Sequence, residues 1–164
     1  MLIALLERQA QPGQPVGWDD LVVGYDFGLV GPERLQAWVR AGNWDGGACR
    51  RLAALEGAGL DRFEEALWAA ATEATGKAPR PGGQRWAKAQ DRWRVALLRD
   101  ALASPLTPEA LAAAVEHIYD QVGCPEDMLA LWQRPSPWKK KAGRADPRVV
   151  EAFIQRRVEA ASAR

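Results

Sequence analysis

Apolar residues recur along this chain at three- and four-residue steps, the spacing that lines one face of an α-helix. Trp18, Leu21, Val22, Tyr25 and Leu29 set the pattern, with Asp19, Asp20 and Asp26 on other faces. Gly28 stands near the end of this run, and glycine adopts the left-handed conformation that closes a helix at little cost. Gly31-Pro32-Glu33 restarts the chain: proline at the first helical position loses no needed hydrogen bond, and Glu33 suits the positive helix end. Leu35, Trp38 and Val39 then face inward until Gly42. A further helix is predicted from about Gly46 to Glu56, with Cys49, Leu52, Ala53 and Leu55 inward. The next begins near Asp61, whose carboxylate is placed to cap it, and carries a seam of Phe63, Leu67, Ala70 and Ala74.

Lys77 to Gly83 holds two prolines and a Gly-Gly pair and reads as a loop. Behind it the longest helix is predicted from Gln84 to Ala103, with Trp86, Trp93 and Leu97 on one side. Thr107-Pro108-Glu109 is a cap-then-proline start for a helix that packs through Leu111, Val115, Ile118 and Val122. Gly123 stops that helix, and Pro125 opens a short one running to about Trp132. A basic Pro/Lys linker at 136–146 leads to a last helix at 147–160, which Asp146 caps and whose apolar face is Val150, Phe153, Ile154 and Val158. No run alternates as a strand would. The pattern predicts an all-α fold over residues 1–164: a single-domain, multi-helix bundle of seven or eight helices with no sheet.

Composition agrees with a globular chain: of 164 residues, 48% are hydrophobic and 26% charged. The apolar run from Met1 to Leu6 is too short for a signal-peptide core or a membrane span, so it reads as the start of a packed helix and the protein as cytoplasmic. Cys49 and Cys124 form no CxxC and read as small buried hydrophobes. Total charge is nearly balanced, but its placement is not. Residues 1–75 carry 11 acidic and 6 basic side chains, residues 76–164 carry 10 acidic and 16 basic. Such asymmetry serves either complementarity within the chain or a charged partner.

The candidate chemistry is sparse. Asp19, Asp20, Asp26 and Asp45 are acids of the type that hold Mg²⁺ or do acid–base work, yet adjacent helical positions point about 100° apart. Acids in a first helical turn also have an electrostatic reason to be there, and Glu126-Asp127 after Pro125 carries the same double meaning. His117 is the only histidine and has no companions at metal-ligand spacing. Arg85, Lys88, Arg92 and Arg99 fall within about 60° of one another on the long helix, a basic stripe beside Trp86 and Trp93. With Lys139, Lys140, Lys141 and Arg144, that stripe suits phosphates, the acidic half of the same chain, or an acidic protein surface. Among eight tryptophans, Trp44 and Trp138 lie outside any helical seam; each is either a binding hot spot or a staple for its loop. No GxGxxG, P-loop, HExxH, GxSxG or EF-hand pattern occurs, so no cofactor and no metal is implied.

Two segments carry a family resemblance. One is Ile118-Tyr119, then Asp120 to Cys124, Pro125-Glu126-Asp127-Met128, Leu131-Trp132 and Pro135. The other is Trp18-Asp19-Asp20 followed by Gly24-Tyr25 and Gly28-Leu29-Val30-Gly31-Pro32-Glu33. Together they resemble an uncharacterised bacterial family, domain of unknown function 2247, over about residues 18–135. Gln121, Val122, Gly123 and Cys124 stand where members tend to carry Asp, Phe, Asp and Tyr, so no active site built on those aspartates carries over. The resemblance implies a small bacterial protein with no assigned activity, in the style of immunity proteins that cover a co-encoded toxin.

Three functional readings follow. The first is a non-enzymatic protein–protein interaction module, in its narrower form an immunity protein, using Trp44, Trp138 and the basic stripe. The second is nucleic-acid binding through Arg85, Lys88, Arg92, Arg99 and Lys139 to Lys141. The third is an enzyme in which Asp19 or Asp20, Asp26 and Asp127 converge.

Overall fold

Pro32, Pro108 and Pro147 each open a helix, and Gly28, Gly76 and Gly123, all with positive φ, each follow the end of one. The computed structural model describes residues 2–9, 14–42, 44, 46–55, 57, 59–133 and 143–162. Their helices are α1 (Leu2–Gln9), α2 (Trp18–Asp26), α3 (Pro32–Ala41), α4 (Gly47–Ala54), α5 (Leu60–Thr75), α6 (Gln84–Ala103), α7 (Pro108–Gln121) and α8 (Pro147–Ser162). A 3₁₀ segment spans Glu126–Leu131. The fold is all-α. To it is added a two-residue antiparallel pairing of β1 (Trp132–Gln133) with β2 (Arg144–Ala145), Trp132 opposite Ala145. Two residues per strand are too few to show an alternating pattern in sequence. Among the described residues no helix is long and apolar enough to cross a membrane.

Contacts fall into two compact units, Ala10–Gln90 and Ile3–Gln9 with Asp91–Arg164. The boundary lies inside α6, where neither glycine nor proline marks it.

In the first unit α4 packs on α3 and α5, and α2 on α5. Leu21, Val22, Leu35, Leu52 and Leu67 are fully buried. The eight-residue α4 is too short to be stable by itself. Neighbouring helices hold both its ends. At its N-terminus the Glu73 carboxylate of α5 accepts from the Ala48 and Cys49 amides at 2.7 and 3.2 Å. At its C-terminus the buried Gln36 of α3 donates to the Leu52 carbonyl at 3.0 Å and also to Leu55. These are the groups a helix leaves unsatisfied.

The second unit contains α1, the remainder of α6, α7, the 3₁₀ segment, the strand pair and α8. Trp93, Leu98, Leu111, Val115, Met128 and Val150 are fully buried. Thr107 caps α7 by accepting from the Ala110 amide at 3.2 Å, and the strand pair packs against α7.

Three local expectations change. Helix α5 starts at Leu60 with Gly59 as N-cap, so Asp61 lies in the first turn and caps nothing with its side chain. Its buried seam runs through Phe63, Leu67, Ala70 and Ala71, while Ala74 is exposed, because α2 and α4 pack on one flank of the helix. The segment after Pro125 is 3₁₀ rather than α-helical, a tight six-residue turn that feeds directly into β1.

Candidate functional site

The acidic N-terminal motif takes structural roles. Asp20 is buried and folds back on its own helix start, accepting from the Gly17 amide at 2.9 Å. Asp19 faces α6, where Arg85 Nε donates to it at 2.8 Å. That pair raises the Arg85 pKa, because the hydrogen bonds to Asp19 favour the charged guanidinium more than burial disfavours it. Arg85 also donates to Thr75 and to the Lys77 carbonyl. The first cation of the basic stripe is therefore tied to the acidic half of the same chain. Arg99 donates to Gln9 at 3.3 Å, Arg92 is half-buried, and Lys88 is exposed. Lys139, Lys140, Lys141, Trp138 and Asp45 lie outside the described residues.

Trp44 is no free anchor. Its ring centroid lies 5.3 Å from that of Trp18 and 5.2 Å from that of Trp38, and Trp18 and Trp38 meet edge-on at 5.9 Å. A Cβ on Gly42 would overlap the Trp44 indole, so glycine permits this closure. Trp44 fastens the α3–α4 connection onto α2 and α3.

The C-terminal motif is likewise organised around charge. Asp127 accepts from Arg94 of α6 at 2.8 Å and pairs with Arg157 of α8. Arg94 also pairs with Asp91, and both arginines lie against the Phe153 ring, at 5.5 and 5.3 Å. Gly123 and Cys124 both have positive φ, and Cys124 is exposed, contrary to the expectation that both cysteines are buried; Cys49 is buried. Cys124 turns outward because the chain must leave α7 through this left-handed pair, whose Cys124 amide returns to the Tyr119 carbonyl at 2.9 Å. Tyr119 meets Trp132 edge-on, Ile118 is buried, and His117 and Glu126 are exposed.

Three of the carboxylates named for an enzyme thus have local roles of their own: Asp19 with Arg85, Asp20 at its helix start, Asp127 with two arginines. Asp26 is exposed at the end of α2. No group of three or more His, Cys, Asp or Glu side chains among the described residues is placed to hold a metal ion.

Two clefts among the described residues are ones that the sequence did not point to. One, of about 520 Å³, lies in the second unit between Pro108, Leu131, Trp132, Ala145, Pro147 and Val149, with Arg144 at its edge paired to Glu109 at 3.0 Å. The other, of about 380 Å³, lies in the first unit between α3 and the start of α5, lined by Pro32, Glu33, Gln36, Leu55, Gly57, Leu60 and Phe63. Leu60 is 68% exposed there, and Val149 is 42% exposed at the first cleft. The one sequence signal for Leu60 was its place directly after Gly-Ala-Gly, at a helix start.

Comparison with protein-family models, with curated proteins and with solved structures finds no match for this chain.

Proposed function

We propose that this chain is a non-enzymatic protein–protein interaction module, in its narrower form a cytoplasmic immunity protein that neutralises a co-encoded toxin by covering it. The observation that carries this reading is the pairing of exposed apolar side chains with open clefts, Leu60 above all. An isolated exposed leucine is ordinary; one that lines an open cleft offers a partner apolar surface beside a concave site. The binding surface moves accordingly, from Trp44 and the basic stripe to the clefts. Membership of domain of unknown function 2247 belongs to the same proposal. Its motif residues have defined local roles here, among them Gly28 at φ 66°, Pro32 opening α3 and Asp127 bridging two arginines.

Co-expression with the products of adjacent genes tests the reading. A stable stoichiometric complex, weakened by Leu60→Ser or Val149→Ser, is the expected result. Absence of a complex with any neighbouring product would sink the immunity version.

A further inference from the structure

Helix α4 contributes little apolar surface to the core. Of its eight residues Ala48, Cys49 and Leu52 are buried, and Leu52 is the one large apolar side chain among them. The two small residues let α4 approach α5 closely, with the Cys49 sulfur 3.8 Å from the Ala70 carbonyl, but small side chains remove little apolar area from water. An eight-residue helix has no stability of its own. Its docking therefore depends on the polar groups that close its ends.

Those groups come from α3 and α5. At the C-terminal end Gln36 donates to the Leu52 carbonyl at 3.0 Å, and Arg40 to the Ala53 carbonyl at 2.9 Å. At the N-terminal end the exposed Glu73 accepts from the Ala48 and Cys49 amides. Gly46 makes room for that carboxylate. A Cβ on Gly46 would strike it, although the backbone there, at φ −72°, suits any residue. A single exposed side chain thus holds the start of α4, and a glycine is what lets it reach.

We propose that α4 is a releasable element: it undocks as a unit while its neighbours stay packed, and the Glu73 carboxylate is the latch that sets how often it does so. The neighbours have contacts of their own, since α2 packs on α5 and meets α3 through the Trp18 and Trp38 rings. Upstream the opening is bounded by Trp44, fastened to those two rings, and downstream by α5, which carries the latch. Short segments with few buried apolar contacts open at a lower free energy than the whole fold. Release uncovers Leu52, Cys49 and the face of α5 at Ala70. While α4 is docked, burial first, and then Glu73, push the Cys49 thiol above its usual range, so its reactivity reports release.

The test uses the full chain carrying Cys124→Ser, which removes the exposed thiol and leaves Cys49 as the one cysteine. Labelling by a chromogenic aromatic disulfide is followed at rising urea concentrations below the unfolding transition. The rate should be nearly independent of urea, because release exposes little surface, and should steepen only where the fold itself opens. Glu73→Ala should speed labelling about fivefold, the effect of one lost helix cap. Gly46→Ala, whose Cβ pushes the carboxylate off its amides, should speed it too, but add nothing in the Glu73→Ala background. Neither position is buried, and a melting transition well above the assay temperature verifies that the variants are folded. A urea slope equal to that of unfolding overturns the proposal, because Cys49 is then reached only when the whole fold opens. So does an unchanged rate in Glu73→Ala, or a Gly46→Ala effect of the same size in both backgrounds, since either removes Glu73 as the latch.

Discussion

Arg94 and Asp127 are joined at 2.8 Å across 33 residues of sequence, and the arginine side chain is only 6% exposed. The pair docks the 3₁₀ segment onto α6, and Arg157 extends it to α8 through the same carboxylate. Asp91 completes a neutral set of two arginines and two aspartates. A buried charge is tolerable when paired, but removing one partner strands the other.

Arg94→Met should therefore lower stability by about 3 kcal/mol, since it leaves Asp91 and Asp127 without their most buried cation. Urea unfolding measures it. Arg85→Met is the contrast. That side chain is 39% exposed, and its pair with Asp19 should contribute about 1 kcal/mol or less after solvent screening. Equal losses for the two variants would contradict this ranking.

Glu73 makes a pH-dependent contribution. Burial acts to raise its pKa, but the amides of Cys49, Ala48 and Gly47, and then Arg51, outweigh it and hold the carboxyl below its ordinary range. A carboxyl with a depressed folded-state pKa stabilises above its unfolded value and loses that contribution as pH falls through the folded one. Glu73→Gln should melt below the native chain at pH 7, and the gap should close in acid. A gap that stays constant from pH 7 to pH 3 rules the account out.

Asp26 behaves in the opposite sense. Burial and Glu64 raise its pKa, so the ionised form is disfavoured in the folded state. Stability from protonation is present below the unfolded pKa and declines as pH rises through the folded one. Asp26→Asn should raise the melting temperature at pH 7 and lose its advantage in acid. Destabilisation at neutral pH would show that the carboxylate has a stabilising partner.

Trp44 distinguishes a staple from a hot spot. Trp44→Ala removes two ring contacts and should lower stability by about 2 kcal/mol. Partner binding, measured below the melting temperature, should be unchanged. A selective loss of binding with an unchanged melting curve would return Trp44 to the interface.

Helix positions were legible because their causes are local. Thr107-Pro108, Gly28 and Gly123 act within a few residues of where they stand, through a cap, a fixed φ or a left-handed turn. The seam Leu111, Val115, Ile118 and Val122 follows from the period of the helix and the aversion of apolar surface to water. The site was not legible for the converse reason. Arg85 and Asp19 are 66 residues apart, and nothing in a basic stripe tells whether its counter-charge comes from a ligand or from the same chain. Trp44, outside every seam, was found by two other rings rather than by solvent.

The same division holds for the whole molecule. By itself the sequence determined an all-α chain and nearly all of its starts and stops, because backbone geometry and hydrophobic periodicity are short-range. Only tertiary structure decided which charges neutralise one another and which apolar residues stay uncovered. Leu60 has the spacing of a core residue with Phe63 and Leu67, yet it is 68% exposed. It opens its helix, and the packing that buries Phe63 and Leu67, which no local pattern records, does not reach it.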